Sequence, residues 1–331
     1  MKGEIEMKAL VLDKPGRPYA LRIADMPIPE PGPGKVRVKV NAVGLNPVDY
    51  KVAESGVPGW VYPFILGLDV AGVVDSLGED VEGWKVGDAV FYHGNLSRSG
   101  GYAEFAIAPA HILGVKPEGV SFSEAAAIPC AGFTAYQILS RKIPVKPGQK
   151  ILIHAAAGGV GGFAVQIARN MDLEIMATCS KRNFEFVKKL GAHHLFDYNT
   201  EDITRQVYDI TNGRGADIAI NTVDSQTATQ DMERLAFGGH LACVAGLPDF
   251  TRIEPFTRAL SIHESALGGA HLSGDRKSQE DLGAMANELM GWVQDGKISP
   301  MLSETISMED IPEALTRLAN RHVKGKIVVV M

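Results

Sequence analysis

Seven consecutive residues, Ala155-Ala156-Ala157-Gly158-Gly159-Val160-Gly161, have the types and spacing to hold a dinucleotide. A short apolar run precedes them and a helix-length run follows, the setting in which a glycine turn cradles a pyrophosphate. Gly158 lets the main chain approach a phosphate with no Cβ in the way, and Gly161 permits tight packing of helix on strand. The helix opening at Gly159 and Val160 offers N–H donors and the positive end of its dipole. Ala156 stands where the first fingerprint glycine would be, so the turn there must keep to a conformation open to an L-residue. Ala157 to Gly161 are therefore the candidate pyrophosphate contacts.

The choice between dinucleotides falls about twenty residues further on, at the end of the next strand. An acidic residue there would hydrogen-bond a ribose 2′-hydroxyl, whereas a 2′-phosphate needs cations and short donors. This chain has Ser180-Lys181-Arg182, and no carboxylate between Ile175 and Phe184. NADPH is the cofactor expected. The alternative is a solvated basic turn with no ligand. Tyr198, after the third strand, could flank the same phosphate or the adenine, or pack on the surface. Val223, Val244 and Gly246 end the fourth and fifth strands, where ligands of open parallel sheets bind.

Other chemistry is thinner. Cys130, Cys179 and Cys243 lie far apart with no CxxC pair, which argues against a zinc lobe or a redox dithiol and fits a reducing, cytoplasmic compartment. Cys130 reads as a small buried hydrophobe, since nucleophilic chemistry would need a basic partner. Among nine histidines, His154 reads as a satisfied core group, and His93, His111, His193 and His194 lack ligand-like spacing. Trp60, Tyr62 and Phe64 could wall a flat substrate, although ordinary packing accounts for them better. With 33 basic against 39 acidic side chains, the net charge of −6 offers nucleic acid or an anionic membrane no cationic field. Residues 1–7 hold Lys2, Glu4 and Glu6 and no apolar run, so no secretory leader is expected, and Met7 offers an alternative start.

The elements that must position these residues follow two rhythms. In residues 7–123 the pattern favours strands: Val36, Val38 and Val40 alternate with Lys35, Arg37 and Lys39 behind a proline-glycine run. Past Lys150, short apolar strands at 151–154, 174–178, 194–197, 216–223 and 240–245 alternate with helix-length segments, which predicts a doubly wound parallel sheet. The charge-free stretch 151–168 reaches membrane-span length, but its four glycines and Gln166 fit a strand, a turn and a helix better. Near the end, Ser307 and Asp310 predict a helix start, with Ile311, Ala314, Leu315 and Leu318 on one face before a closing strand from Lys326.

Gly148-Gln149-Lys150-Ile151-Leu152, the glycine turn, Gln166 and Arg169 together resemble the quinone oxidoreductase (zeta-crystallin) signature of the medium-chain dehydrogenase/reductase superfamily. The resemblance runs from Met7-Lys8-Ala9 through Gly67-Leu68-Asp69-Val70-Ala71-Gly72 to Gly325-Lys326-Ile327-Val328-Val329. It implies an α/β protein: a Rossmann NADPH-binding domain (127–266) inserted into a mostly β, GroES-like substrate domain (1–126 and 267–331), with the active site in the cleft, as a homodimer. Zinc members hold their metal through a loop cysteine, the histidine of a Gly-His-Glu stretch and a later cysteine or acid. The matching positions here are Asn46, Leu68 and Cys130, so no metal is expected. The implied chemistry is hydride delivery to a quinone or to the β-carbon of an α,β-unsaturated carbonyl. Asn46-Pro47-Val48-Asp49-Tyr50-Lys51 resembles the loop of zinc-free relatives, among them plant enone reductases, that meets the substrate oxygen. Tyr50 or Lys51 would be the donor, oriented by Asn46; the alternative is a turn in which Asp49 pairs with Lys51 on the surface. The resemblance also sets Thr134 near the nicotinamide carboxamide. Two other functions remain: a zinc-dependent alcohol dehydrogenase, or a nucleotide-binding, crystallin-like protein without turnover.

Overall fold

The protein is described by a computed structural model covering residues 6–17, 19–321 and 323–331. The leader expectation for the first residues lies largely outside that range. The chain forms an α/β fold of two compact units. One comprises the described residues of Met1–Phe133, Gly268–Gly296 and Pro300–Met331, and the other Thr134–Leu267 with Lys297–Ser299. Residues 127–133, assigned above to the inserted domain, thus fall in the first unit.

The first unit is GroES-like and mostly β. Its larger sheet is built around the strand Lys35–Gly44, whose valines are buried while Lys35 and Lys39 are exposed. That strand pairs antiparallel with Asp69–Leu77 on one side. On the other side the last strand, Lys326–Val330, lies antiparallel to it, with Val328 opposite Gly44, and parallel to Leu302–Ile306. The chain end is thereby set beside the turn that follows Gly44. A second approach comes from the helix Phe122–Ala126, started by Ser121 and Glu124 in a reciprocal cap. The carbonyl of Ala126 lies where a Cβ on Gly44 would be, so the helix reaches this sheet only because residue 44 has no side chain. Its continuation carries Cys130 to Asp69.

In the second unit six strands pair in parallel in the spatial order 194–197, 174–179, 150–153, 216–221, 235–243 and 261–264, the doubly wound arrangement that the alternating pattern predicts. The sixth strand, Ser261–Glu264, was not visible in the pattern because its residues are only partly buried. Leu152, Met176, Phe196, Val207, Ala219, Leu235 and Leu241 fill one face of the sheet. Each large side chain so buried stabilises by roughly 1.5–3 kcal/mol before entropy is counted. The stretch 151–168 resolves into the strand Lys150–Ile153 and the helix Gly159–Asn170, and no helix among the described residues is long and apolar enough to cross a membrane.

Candidate functional site

At the C-terminal end of Lys150–Ile153 the chain turns sharply. The left-handed residue is Ala155, with φ 49°, rather than Ala156, which instead ties the turn to the neighbouring strand by donating to the Thr178 carbonyl at 3.0 Å. Gly158 caps the helix Gly159–Asn170 with no side-chain acceptor, leaving the first-turn N–H groups to the solvent side. A Cβ on Gly161 would lie 2.5 Å from the Ala155 carbonyl oxygen and 2.8 Å from the Ala156 Cα, so only glycine lets helix and turn pack this closely. At Gly158 a Cβ would meet only the Ala155 oxygen, at 3.3 Å, which leaves open space in front of the turn. These features fit the pyrophosphate of a dinucleotide.

Ser180 follows the strand Glu174–Cys179, and Lys181 and Arg182 are both exposed. Ser180 Oγ accepts from Asn183 at 3.2 Å, which keeps the hydroxyl's own hydrogen for another acceptor. Tyr198 is 57% exposed. Close to Lys181 stands a carboxylate, Asp197, at the end of the adjacent strand, a proximity that the linear sequence did not reveal. The Asn199 N–H and side-chain amide, with the backbone and charge of Lys181, hold it below the usual carboxylate range. It is thus engaged by its own turn and by Lys181. Val223 and Val244 use their N–H groups internally, on Asn221 Oδ1 and the Asn221 carbonyl, so only their remaining main-chain groups could meet a ribose. Gly246 is half-buried beside Ser225, and Thr134 is buried.

His154 is a core group. Its Nε2 lies 2.9 Å from Asp231 and its Nδ1 3.1 Å from Thr178 Oγ1, while Asp231 also accepts from Arg234 at 2.8 Å and Asn221 at 2.9 Å. Burial opposes ionisation of Asp231, but His154, Arg234 and Asn221 outweigh it and hold the carboxyl below its ordinary value.

In the first unit a second group of polar residues gathers where Lys35–Gly44 ends. Asn46 caps the helix Pro47–Ser55, with proline at its first position and Asp49 in its first turn. Asp49 does not pair with Lys51 on the surface: it is 1% exposed and accepts from the Asn46 N–H at 2.8 Å and the Tyr102 hydroxyl at 3.1 Å. Gly67, at φ +99°, makes room for Tyr102, whose ring a Cβ would strike at 2.7 Å. Burial pushes the Asp49 carboxyl up to about 7, with Asp69 nearby adding to the rise. Asn46 is buried, with its amide nitrogen on Asp69 Oδ2 at 2.8 Å and its oxygen accepting from Lys326 Nζ. Both ends of its amide are spent on protein, so Asn46 positions the helix. Tyr50 is half-buried and Lys51 exposed on that helix. Trp60 stacks on Phe64 at 3.9 Å and donates to the Leu96 carbonyl, the packing alternative of the reading above.

Asp69, His93 and Cys130 were not grouped by spacing, being separated by other elements, yet each offers a ligand atom and these lie within 4.8 Å of one another. Three protein ligands are the number a catalytic zinc needs. The charge does not fit. Lys326 Nζ is 3.6 Å from Asp69 Oδ2, so a metal bound to that carboxylate at ~2.1 Å would sit within roughly 6 Å of an ammonium. Repulsion between them is on the order of 5 kcal/mol at an effective dielectric of about 20. Both Asp69 oxygens already accept, from Cys130 N–H and Asn46, and burial raises the Asp69 carboxyl and the Cys130 thiol above their ordinary values.

A parallel sheet in this order in one unit and a GroES-like β architecture in the other define an oxidoreductase of the medium-chain dehydrogenase/reductase superfamily. Residues 32–118 match the family described as Alcohol dehydrogenase GroES-like domain, and residues 190–329 that described as Zinc-binding dehydrogenase. Human quinone oxidoreductase is 31% identical over 335 residues, covering 99% of this chain and 99% of that protein. The chain belongs to the quinone oxidoreductase family. Among solved structures, the quinone oxidoreductase of Pseudomonas syringae pv. Tomato DC3000 superposes with a TM-score of 0.89 at 28% identity, over 98% of this chain and 100% of that one. CurK enoyl reductase superposes with a TM-score of 0.86 at 27% identity, over 99% and 100%.

Proposed function

We propose that this oxidoreductase is an NADPH-dependent reductase of quinones or α,β-unsaturated carbonyl compounds that works without a metal ion. The observation that carries the cofactor reading is the exposed Ser180-Lys181-Arg182 run at the end of the second parallel strand, beside a glycine turn whose helix N-terminus has no side-chain cap. Lys181 and Arg182 supply charge to a 2′-phosphate and Ser180 a short donor. Tyr198 flanks them, the 157–161 turn holds the pyrophosphate, and Thr134, Val223, Val244 and Gly246 border the nicotinamide half.

Bound NADPH supplies a hydride to a carbon that is already electron-poor. The chain's own task is to hold the acceptor and to stabilise the negative charge that grows on its oxygen. Tyr50 and Lys51 are the donors for that oxygen. Asn46 and Asp49 fix their helix from beneath, and the accompanying proton comes from solvent or from this loop. The names of human quinone oxidoreductase and CurK enoyl reductase support these two acceptor classes. Two subunits pair, and the outer edge of Ser261–Glu264, which has no strand partner among the described residues, supports that reading.

The test is loss of NADPH absorbance with a panel of simple quinones and enones, with and without chelator, and with NADH for comparison. Turnover that persists in chelator supports the proposal. Loss of activity in chelator with recovery on added zinc would favour an alcohol dehydrogenase built on Asp69, His93 and Cys130. NADPH binding with no acceptor consumed would leave a nucleotide-binding protein without turnover.

A further inference from the structure

Asp69, His93 and Cys130 arrive from a strand, the end of the next strand and the segment after a helix, and converge to within 4.8 Å of one another. Asp69 and His93 are fully buried, and His93 Nδ1 has no hydrogen-bond partner among the described residues. A buried carboxylate, an imidazole nitrogen and a sulfur in one place make a set that a divalent cation of intermediate softness would take. Beside it lies a cation the chain itself provides. Lys326 Nζ donates to the Leu45 carbonyl at 3.0 Å and to Asn46 Oδ1, and lies 3.6 Å from Asp69 Oδ2. Its side chain is 4% exposed, so its charge is balanced by Asp69 and these oxygens rather than by water.

We propose that Asp69, His93 and Cys130 form a latent divalent-metal site, and that the ammonium of Lys326 is the built-in cation that keeps it closed. The registry that pairs Lys326–Val330 with Lys35–Gly44 delivers the ammonium to the site as part of folding, so the positive charge is covalently fixed. Removing that charge while keeping the side chain's bulk leaves Asp69 without its counter-ion and turns the three ligands toward an exchangeable one. The proposal concerns these residues alone and does not depend on which acceptor or cofactor the protein uses.

The experiment compares the full-length wild type with Lys326→Met and with Lys326→Gln, which retains a donor for Leu45 and Asn46 without the charge. Each is incubated with zinc sulfate, desalted and assayed for bound metal, and each is titrated with cobalt(II) chloride to read thiolate-to-metal absorption. Wild type is expected to retain far less than one zinc, and the variants roughly one per chain. The variants should bind at least ~10³-fold more tightly, and Cys130→Ser on either background should abolish the thiolate band. Stoichiometric zinc in the wild type that Cys130→Ser removes would overturn the proposal. So would either variant, shown to be folded by a cooperative melt, binding none. Should both variants be unfolded when metal-free, recovery of a cooperative melt on adding zinc supports the proposal, and failure to recover overturns it.

Discussion

The ammonium of Lys326 donates to the side-chain oxygen of Asn46 across 280 positions of sequence, joining the last strand to the start of the helix that carries Tyr50 and Lys51. Asn46 in turn donates to Asp69, so one amide couples a buried cation to a buried anion. Asn46→Ala strips a partner from both charges. A loss of about 2–4 kcal/mol in unfolding free energy is expected, measured by urea denaturation. A loss below 0.5 kcal/mol would show that the amide holds nothing.

Asp49 makes stability fall as pH rises. Its folded carboxyl titrates at about 7, above the 3.8 of a solvated aspartate, so between those values the folded state keeps a proton that the unfolded chain has released. That contribution is fully present below about pH 4 and is lost as pH climbs to about 7, by on the order of 4 kcal/mol. Asp49→Asn keeps an acceptor for the Asn46 N–H and the Tyr102 hydroxyl. Unfolding midpoints of wild type and variant, compared from pH 4.5 to 7.5, should converge at the acid end and diverge at the other. Parallel curves would refute the assignment.

Lys181→Ala or Arg182→Ala should weaken NADPH binding by at least ~1 kcal/mol each and spare NADH, as read by fluorescence titration. Because Asp197 lies against Lys181, Asp197→Asn should shift preference further toward NADPH. Equal losses for both cofactors in the cation variants would mean that the turn is only solvated.

If Tyr50 and Lys51 meet the acceptor oxygen, Tyr50→Phe and Lys51→Ala lower kcat by about 10–100-fold with little change in NADPH affinity. Steady-state kinetics on the singles and the double variant decide it. Wild-type turnover in all three would remove this helix from the chemistry.

Asp231→Ala leaves Arg234 buried and His154 without its acceptor. Destabilisation of about 3–5 kcal/mol is expected from guanidinium denaturation. A variant as stable as wild type would show that the network adds nothing.

What could be read before any coordinates was what depends on near neighbours in the chain. Alternating valines at 36, 38 and 40 fold as a half-buried strand, the alternation past Lys150 folds as a parallel sheet, and Gly161 proves indispensable where the helix meets its turn. Periodicity and glycine turns are local, since a strand's faces and a turn's sterics follow from a few adjacent residues. The groups around Asp69 were not legible. Asp49 was given a surface pairing with Lys51 as the alternative to a role in the loop, and His93 read as a histidine without a role, because Tyr102 and the other two ligand groups lie far from them in sequence. Strand registry sets residue 328 opposite residue 44 and so brings Lys326 to Asn46 and Asp69, a second strand pairing sets His93 opposite Asp69, the segment after the 122–126 helix adds Cys130, and only burial makes their charges depend on one another. The same holds for Asp197 beside Lys181: adjacent strands placed a carboxylate where the linear run from 175 to 184 shows none. Local order was written in the chain, whereas the electrostatics of both sites came from contacts that exist only after the sheets have paired.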